Sequence, residues 1–334
     1  MPSADVFLTG GTGFIGKHFL KQLTGLGRDV RCMVRKTSRI DGISKFKCEI
    51  VNADLNNIDS LTWAIANCKT VFHVAGKARN VTRGGLLQTN CEGTRNLAIA
   101  CLRQPNPPTM IFLSSLAAAG PSQLNQPRVE SDPCEPVSEY GHSKLAAESS
   151  LRDLSDDLAI SVIRPPIVFG EEDTVTLDLF SAIKKFGLYV RPGYSEKQYS
   201  LIHADDLVQS ALAIESNGRR LAKDNLARGI YYSAFPKELS AEELAESIGE
   251  TVSRRPLTIP VPNFGVKVVA ALNEAISAVT PWKPFVNWDK AREVTAGSWT
   301  CSASKLLQQT EVKFESLESR LAQTAEGYRR KGWL

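Results

Sequence analysis

The chain has 334 residues, of which 43% are hydrophobic and 23% charged, with 23 glycines and 17 prolines. These proportions belong to a soluble globular protein and exclude collagen-like and disordered classes. Forty basic residues against 36 acidic ones leave a formal charge of +4, and Arg219-Arg220 and Arg254-Arg255 are isolated doublets, so no basic stripe points to nucleic acid.

At roughly 150 residues per domain the length predicts two domains, or one large domain with an elaborated lobe. In chain order, apolar Val6 to Leu8 predicts a strand, a glycine-rich turn follows, and Phe14 to Leu23 carries apolar residues at helical spacing. Val30 to Val34, Ile50 to Val51, Thr70 to Val74, Met110 to Leu113 and Ile160 to Ile163 are further short apolar runs. Most are separated by enough chain for a crossover helix. The alternation predicts an α/β fold, a doubly wound parallel sheet with helices on both faces. After Gly170 the pattern turns irregular and richer in aromatics, among them Phe180, Phe186, Tyr189, Tyr194, Phe264, Trp282, Phe285 and Trp288, which predicts a smaller lobe. There Ser240-Ala-Glu-Glu243 is a capping box that opens a helix. Phe264 to Thr280 is hydrophobic but contains Lys267, Asn273 and Glu274, which predicts a packed amphipathic helix rather than one lying on a membrane.

The seven cysteines (Cys32, Cys48, Cys68, Cys91, Cys101, Cys134 and Cys301) never form C-x-x-C, and no histidine stands near another. Neither a disulfide framework nor a metal site is expected. Asp5 and the glycine turn leave no room for an export signal. The longest uncharged stretch, Gln104 to Pro127, is broken by Pro105, Pro107, Pro108 and Pro121, so no transmembrane segment is expected. A cytoplasmic protein with reduced thiols is the expectation.

Thr9-Gly10-Gly11-Thr12-Gly13-Phe14-Ile15-Gly16 lies between the first strand and the first helix. Glycines there permit a tight turn and close approach of a pyrophosphate, whose charge the open amides of the helix N-terminus would meet. An NAD site usually has an acid about 20 residues later, on the ribose 2′-hydroxyl. Here the second strand ends in Arg35, with Lys36 and Arg39 close behind. Guanidinium forks suit a 2′-phosphate, so NADP(H) is the expected cofactor, with NAD(H) the alternative.

Tyr140-Gly-His-Ser-Lys144 puts a phenol and an ammonium four residues apart on one helix face. Ser114 and Ser115 end the Met110 to Leu113 strand, at the sheet edge where open α/β folds bind ligands. A ketone that accepts hydride develops negative charge on oxygen, which a serine hydroxyl can meet. A phenol with an ordinary pKa near 10 is a slow proton donor unless a cation favours its phenolate, the part read for Lys144.

These residues resemble the extended short-chain dehydrogenase/reductase family, which includes sugar-nucleotide epimerases, dihydroflavonol reductases and 3β-hydroxysteroid dehydrogenases. The resemblance covers most of the chain. It implies a Rossmann-type sheet over residues 1–166, with 201–217 returning to it, and a smaller C-terminal α+β substrate lobe over 167–200 and 218–334. Thr9 to Gly16 is similar to the family's T-G-x-x-G-x-x-G loop, Asp54-Leu55 to its adenine-contacting position, and His73-Val74-Ala75-Gly76 to its N-A-A-G turn. Ser115 and Tyr140 stand 25 residues apart, a separation similar to the family's, which implies Ser115 as the catalytic serine with Ser114 at the cofactor. Asn90 resembles a recurrent helix position with a supporting role. Arg164-Pro-Pro-Ile-Val-Phe-Gly170 resembles the segment bordering the nicotinamide, implying Pro166 and Ile167 as cofactor neighbours. Ile202-His-Ala-Asp-Asp206 resembles a family turn in which His203 and Asp205 are structural.

Sugar-nucleotide members often carry Asn at the position of Ile167 and Arg at that of Tyr199. Without that bidentate cation a diphosphate would lose charge-assisted bonds. The expected reaction is therefore NADP(H)-dependent interconversion of a secondary alcohol and a ketone on a mostly apolar small molecule, with Tyr140 as acid/base, Lys144 its tuner and Ser115 the oxyanion donor. A sugar-nucleotide epimerase or dehydratase is the second reading, and a non-catalytic cofactor-sensing module the third. The family also implies a homodimer through helices near Leu86 to Leu102 and Glu139 to Leu154.

Overall fold

A computed structural model of the chain describes residues 4–78, 84–279 and 287–334. The first half alternates as β1 (Ala4–Thr9), α1 (Phe14–Gly25), β2 (Val30–Val34), β3 (Glu49–Asn52), α2 (Ile58–Ile65) and β4 (Cys68–His73). A π-helical turn at Leu87–Glu92 leads into α3 (Gly93–Leu102), followed by β5 (Thr109–Leu113), α4 (Glu139–Arg152) and β6 (Ile160–Arg164). The second half contains β7 (Ile167–Phe169), α5 (Thr174–Phe186), β8 (Leu188–Pro192), β9 (Gln198–Tyr199), β10 (Leu201–His203), α6 (Ala204–Asn217) and β11 (Ile230–Tyr232). It ends with β12 (Leu239–Ser240), α7 (Ala241–Thr251), β13 (Leu257–Val261), α8 (Asn263–Val279), α9 (Trp288–Ala296), α10 (Ser304–Thr310) and α11 (Leu317–Arg330).

The central sheet has seven parallel strands in the order β11-β6-β5-β4-β1-β2-β3. Val30–Val34 and Ile160–Arg164 are buried at every position, as parallel strands covered on both faces must be. Leu61, Leu97, Ala147 and Leu151 from α2, α3 and α4 pack one face, and Phe19, Leu23, Leu207 and Ile214 from α1 and α6 pack the other. The lobe has its own core, in which Phe180, Ile183, Leu244, Ile248, Leu321 and Tyr328 join α5, α7 and α11.

Two places differ from the reading of the sequence. Ile230–Tyr232, read as lobe, is the outer strand of the central sheet, with Tyr231 beside Ile163, and α10 packs Leu306 into the core under the same sheet. The run is three residues long and its partner lies almost 70 positions earlier, so no local period reveals it. The helix expected over Phe264 to Thr280 forms as α8, but Phe264, Val268, Val269 and Leu272 face solvent instead of packing on the lobe. Thr280, Trp282 and Phe285 lie outside the described residues. Among the described residues no helix is long and apolar enough to cross a membrane.

Candidate active site

Strand order reverses between β1 and β4, and the glycine turn after β1 sits against the turn after β4 at this switch point, where open α/β sheets form their crevice. Gly10 has φ +77°, and a Cβ there would lie 2.7 Å from the Ala75 nitrogen. One on Gly16 would lie 2.0 Å from the Gly10 carbonyl oxygen. The Gly13 amide closes the turn on that oxygen at 3.0 Å, and Gly13 caps α1 with no side chain across its first amides. This side-chain-free cradle at a helix N-terminus fits a dinucleotide pyrophosphate. Gly11 faces the other way, onto Cys32 of β2, and Ile15 packs into the core, whereas Thr12 and Phe14 remain part-exposed at the turn.

Thr9 is fully buried, and its hydroxyl accepts the Ala75 amide at 3.1 Å and meets His73 Nδ1 at 2.7 Å. Its side chain thereby fixes the Val74-Ala75-Gly76 turn from behind. His73 Nε2 meets the Thr94 hydroxyl at 2.8 Å, and that hydroxyl already donates to the Asn90 carbonyl. The ring is therefore neutral with its proton on Nε2, and burial, with Lys144 nearby, pushes its pKa down to about 3. Asn90 brackets Lys77 from both sides, accepting its amide and donating to its carbonyl at 2.8 Å each, and also reaches Ser143 of α4 at 2.9 Å.

Ser115 begins a 3₁₀ turn at the carboxyl end of β5, where its oxygen accepts the Ala117 amide at 3.1 Å. Tyr140 lies in the first turn of α4, capped by Ser138, whose hydroxyl oxygen accepts the Gly141 amide. A Cβ on Gly141 would lie 2.3 Å from the Ala117 carbonyl, so the absent side chain lets α4 press onto the 3₁₀ turn. That contact sets the Ser115 hydroxyl beside the Tyr140 phenol, near enough to act on its titration. One helical turn on, Lys144 donates to the Leu113 carbonyl at 2.8 Å, with its Nζ 4.9 Å from the Phe112 ring centre. A Cβ on Gly76 would lie 3.2 Å from that Nζ, so the turn after β4 closes over the ammonium.

Burial decides both pKa values. The Tyr140 phenol is pushed up to about 12 by burial, against the lowering influence of the neighbouring Ser115 hydroxyl and with Glu293 adding to the rise. Lys144 is brought down to about 8 by burial, against the attraction of Glu148. The sequence reading had Lys144 favouring the phenolate, whereas in this chain desolvation dominates and raises the phenol pKa. Tyr140 is a protonated phenol at neutral pH.

Ser114 turns away from the crevice and donates to Glu148, which also holds Arg164 Nε at 3.0 Å in a buried ion pair. The Leu116 amide donates to the Pro165 carbonyl at 2.8 Å, which sets Pro166 and the exposed Ile167 just past the Ser115 turn. A Cβ on Gly170 would touch the Phe14 ring at 3.4 Å. Arg35, Lys36 and Arg39 are exposed after β2, next to the glycine turn. Asp54 is exposed after β3 and accepts the Asn56 amide at 2.9 Å, whereas Leu55 packs into the core. Tyr199 packs half-buried on the lobe core.

Sequence reasoning missed the clamp on α4. Asp289 of α9 accepts the amides of Glu139 at 2.6 Å and Tyr140 at 3.2 Å, and Glu293 accepts the Ser138 hydroxyl proton at 2.7 Å. Asp205 ties α6 to α1, and His203 holds the turn that follows β7. His203 meets Glu171 at 3.1 Å, and Asp205 meets His18 at 2.7 Å. His18, Glu171 and Asp205 are within metal-binding reach of one another, but hydrogen bonds to His203, Gln22 and Gln323 occupy the carboxylates.

The model for the NAD dependent epimerase/dehydratase family matches residues 6–226. The chain is 27% identical over 331 residues to the ceramide reductase of Caulobacter vibrioides, an alignment that covers 98% of this chain and 96% of the relative. It is 23% identical over 269 residues to the N-acetyl-alpha-D-glucosaminyl-diphospho-ditrans,octacis-undecaprenol 4-epimerase of Escherichia coli O157:H7, covering 77% and 75%. The UDP-glucose 4-epimerase of Thermotoga maritima has a similar fold, with a TM-score of 0.75 at 19% identity over 98% of this chain and 99% of that one.

Proposed function

The chain belongs to the NAD dependent epimerase/dehydratase family, and from that premise we propose that it is an NADP(H)-dependent oxidoreductase interconverting a secondary alcohol and a ketone on a mostly apolar small molecule. The observation that carries the proposal is the convergence of the Ser115 hydroxyl, the Tyr140 phenol and the Lys144 ammonium beside the glycine cradle. When bound, the dinucleotide supplies or accepts the hydride. In the reductive direction Tyr140 gives its proton to the carbonyl oxygen as charge develops there. Ser115 donates a hydrogen bond to the same oxygen. The Lys144 ammonium, one helical turn from Tyr140 and held by the Leu113 carbonyl, has the role of offsetting the charge left on the phenolate. In the oxidative direction the same groups run in reverse, Tyr140 taking the alcohol proton.

Arg35, Lys36 and Arg39 support the phosphorylated cofactor, being exposed cations at the end of β2 with no carboxylate where NAD enzymes place one. Ile167 and Tyr199 support an apolar substrate, since neither can hold a diphosphate. The Caulobacter vibrioides relative, a reductase named for a ceramide, is consistent with that class. A sugar-nucleotide epimerase with a retained NAD(P) is the second reading, favoured by the epimerase names among the relatives. We place a homodimer contact on α3 and α4, to be checked by light scattering.

Thermal-shift titration separates the two readings, because a ligand of the native state raises apparent stability by mass action. The proposal expects a response to NADPH and none from UDP, GDP, CDP or dTDP added to the NADPH-loaded protein. A saturable shift with one of these nucleotides moves the protein to the epimerase reading.

A further inference from the structure

α8 is turned inside out. At about 100° per residue, Phe264, Val268, Leu272 and Val269 fall on one arc about 140° wide, and they are 75, 38, 58 and 49% exposed. The opposite side carries Ala270, which is fully buried, and Glu274, whose carboxylate accepts the Trp288 amide at 3.2 Å. The helix thus faces α9 with small and polar residues and offers its apolar arc to solvent, the reverse of an ordinary amphipathic surface helix.

A second exposed apolar face lies on the strands that precede the helix. α8 follows β13 directly, and β13 pairs with β8 so that Leu257 lies opposite Leu188 and Ile259 opposite Val190. All four are exposed, and as alternate residues of paired strands they share one face. Apolar exposure on two successive elements points to an interaction surface. Cations frame it. Lys184 and Lys185 end α5, Arg254 and Arg255 lead into β13, and Lys267 flanks the apolar arc on α8. Arg254 Nε would lie 3.1 Å from a Cβ on Gly187, so the two basic doublets meet at one end of the β8–β13 ribbon. All five cations are exposed, and among the described residues none has an ion-pair partner. Glu250 and Glu196 are the exposed acids nearest in sequence to this ribbon.

We propose that this face docks the protein on an anionic phospholipid bilayer, with Phe264, Val268 and Leu272 entering among the acyl chains and the five cations meeting the headgroup phosphates. Charge selects lipid over a second copy of the chain. A two-fold contact would bring to this face only the same surface from a second copy, with five more unpaired cations, whereas an anionic surface attracts every one of them. The surface stands independently of the substrate reading, although an apolar substrate would be met in the same bilayer.

The test is co-sedimentation of the full chain with vesicles, without cofactor or substrate, so that its outcome does not depend on the proposed reaction. The expected result is binding to phosphatidylcholine vesicles containing a quarter phosphatidylglycerol. Binding should fall several-fold on pure phosphatidylcholine or in 0.5 M salt, and at least tenfold in the Phe264→Glu/Leu272→Glu variant. Lys185→Glu/Arg255→Glu should weaken binding to the anionic vesicles alone. Both variants should keep the wild-type thermal midpoint and NADPH affinity. The proposal is overturned if the wild type stays in the supernatant with anionic vesicles, if the Glu variants bind as well as it does, or if Leu272→Glu instead dissolves a dimer seen by sedimentation velocity.

Discussion

The carboxylate of Asp289 accepts the backbone amide of Tyr140 at 3.2 Å across 149 residues of chain, so the helix carrying the proposed acid is capped from the other half of the molecule. A carboxylate on the first amides of a helix satisfies donors that have no partner of their own and favours the positive end of the helix. Burial raises the Asp289 pKa even as those amides work to lower it. Asp289 is a positioning residue, acting on the reaction through the placement of α4. Asp289→Ala is expected to lower kcat about tenfold with KM changed less than threefold, and to cost about 1 kcal/mol of stability, the usual worth of a cap. Asp289→Asn, which still accepts, should recover most of kcat. Steady-state kinetics with a denaturation midpoint check this, and a change confined to KM would contradict it.

Lys144 sets an alkaline limit. Its pKa, brought down to about 8 by burial, means that it is charged below that pH and neutral above it. Ketone reduction should have a level kcat/KM below about pH 8 and lose up to tenfold per unit above it. Lys144→Arg, which stays charged, should carry the level region past pH 9, at a lower rate. A wild-type profile level to pH 10 would contradict this assignment.

Cofactor choice is assigned to the exposed cations after β2. Arg35→Asp combined with Arg39→Ser should raise the Kd for NADPH by about ten- to a hundredfold, the loss of one charge-assisted bond at about 1.5–3 kcal/mol. NADH binding should change little. Isothermal titration with both nucleotides gives the ratio, and equal losses for the two would show that these side chains do not meet the 2′-phosphate.

His73 makes the fold sensitive to acid. The unfolded chain takes up a proton near pH 6.5, whereas the folded ring resists it to about pH 3. The unfolded state therefore binds more protons between those values, and stability is full above pH 6.5 and falls as the pH drops. The slope is up to about 1.4 kcal/mol per unit. His73→Gln should be less stable at pH 7.5, having lost the bridge between Thr9 and Thr94, but should show a shallower fall from pH 6.5 to 5. Urea midpoints across that range compare the two chains, and parallel slopes would contradict the account.

The parts of the fold legible in the sequence are those whose signal is local. Val6 to Leu8 followed by three spaced glycines announces a strand, turn and helix, and Tyr140 and Lys144 share a helix face by spacing alone. What escapes is tertiary. β11 gains its place from a neighbour far back in the chain, and the Asp289 clamp has no spacing rule to reveal it. The period of α8 predicts a helix with an apolar side, but periodicity does not say which side meets the protein, and here it is the polar one. The Tyr140 pKa follows the same logic. The lysine one turn away is visible in the sequence, but the burial that raises the phenol pKa is visible only after folding.

The most direct test of the proposed chemistry follows NADPH absorbance and product together for the wild type and Tyr140→Phe, over apolar ketones and UDP-sugars. The account predicts one NADPH consumed per alcohol formed from a ketone. It predicts a loss of about 10² to 10⁴ in kcat on removal of the phenol hydroxyl, the range for a lost general acid, with NADPH affinity retained. Turnover of Tyr140→Phe within a few-fold of wild type, or isomerised UDP-sugar formed with no net NADPH consumed, would contradict it.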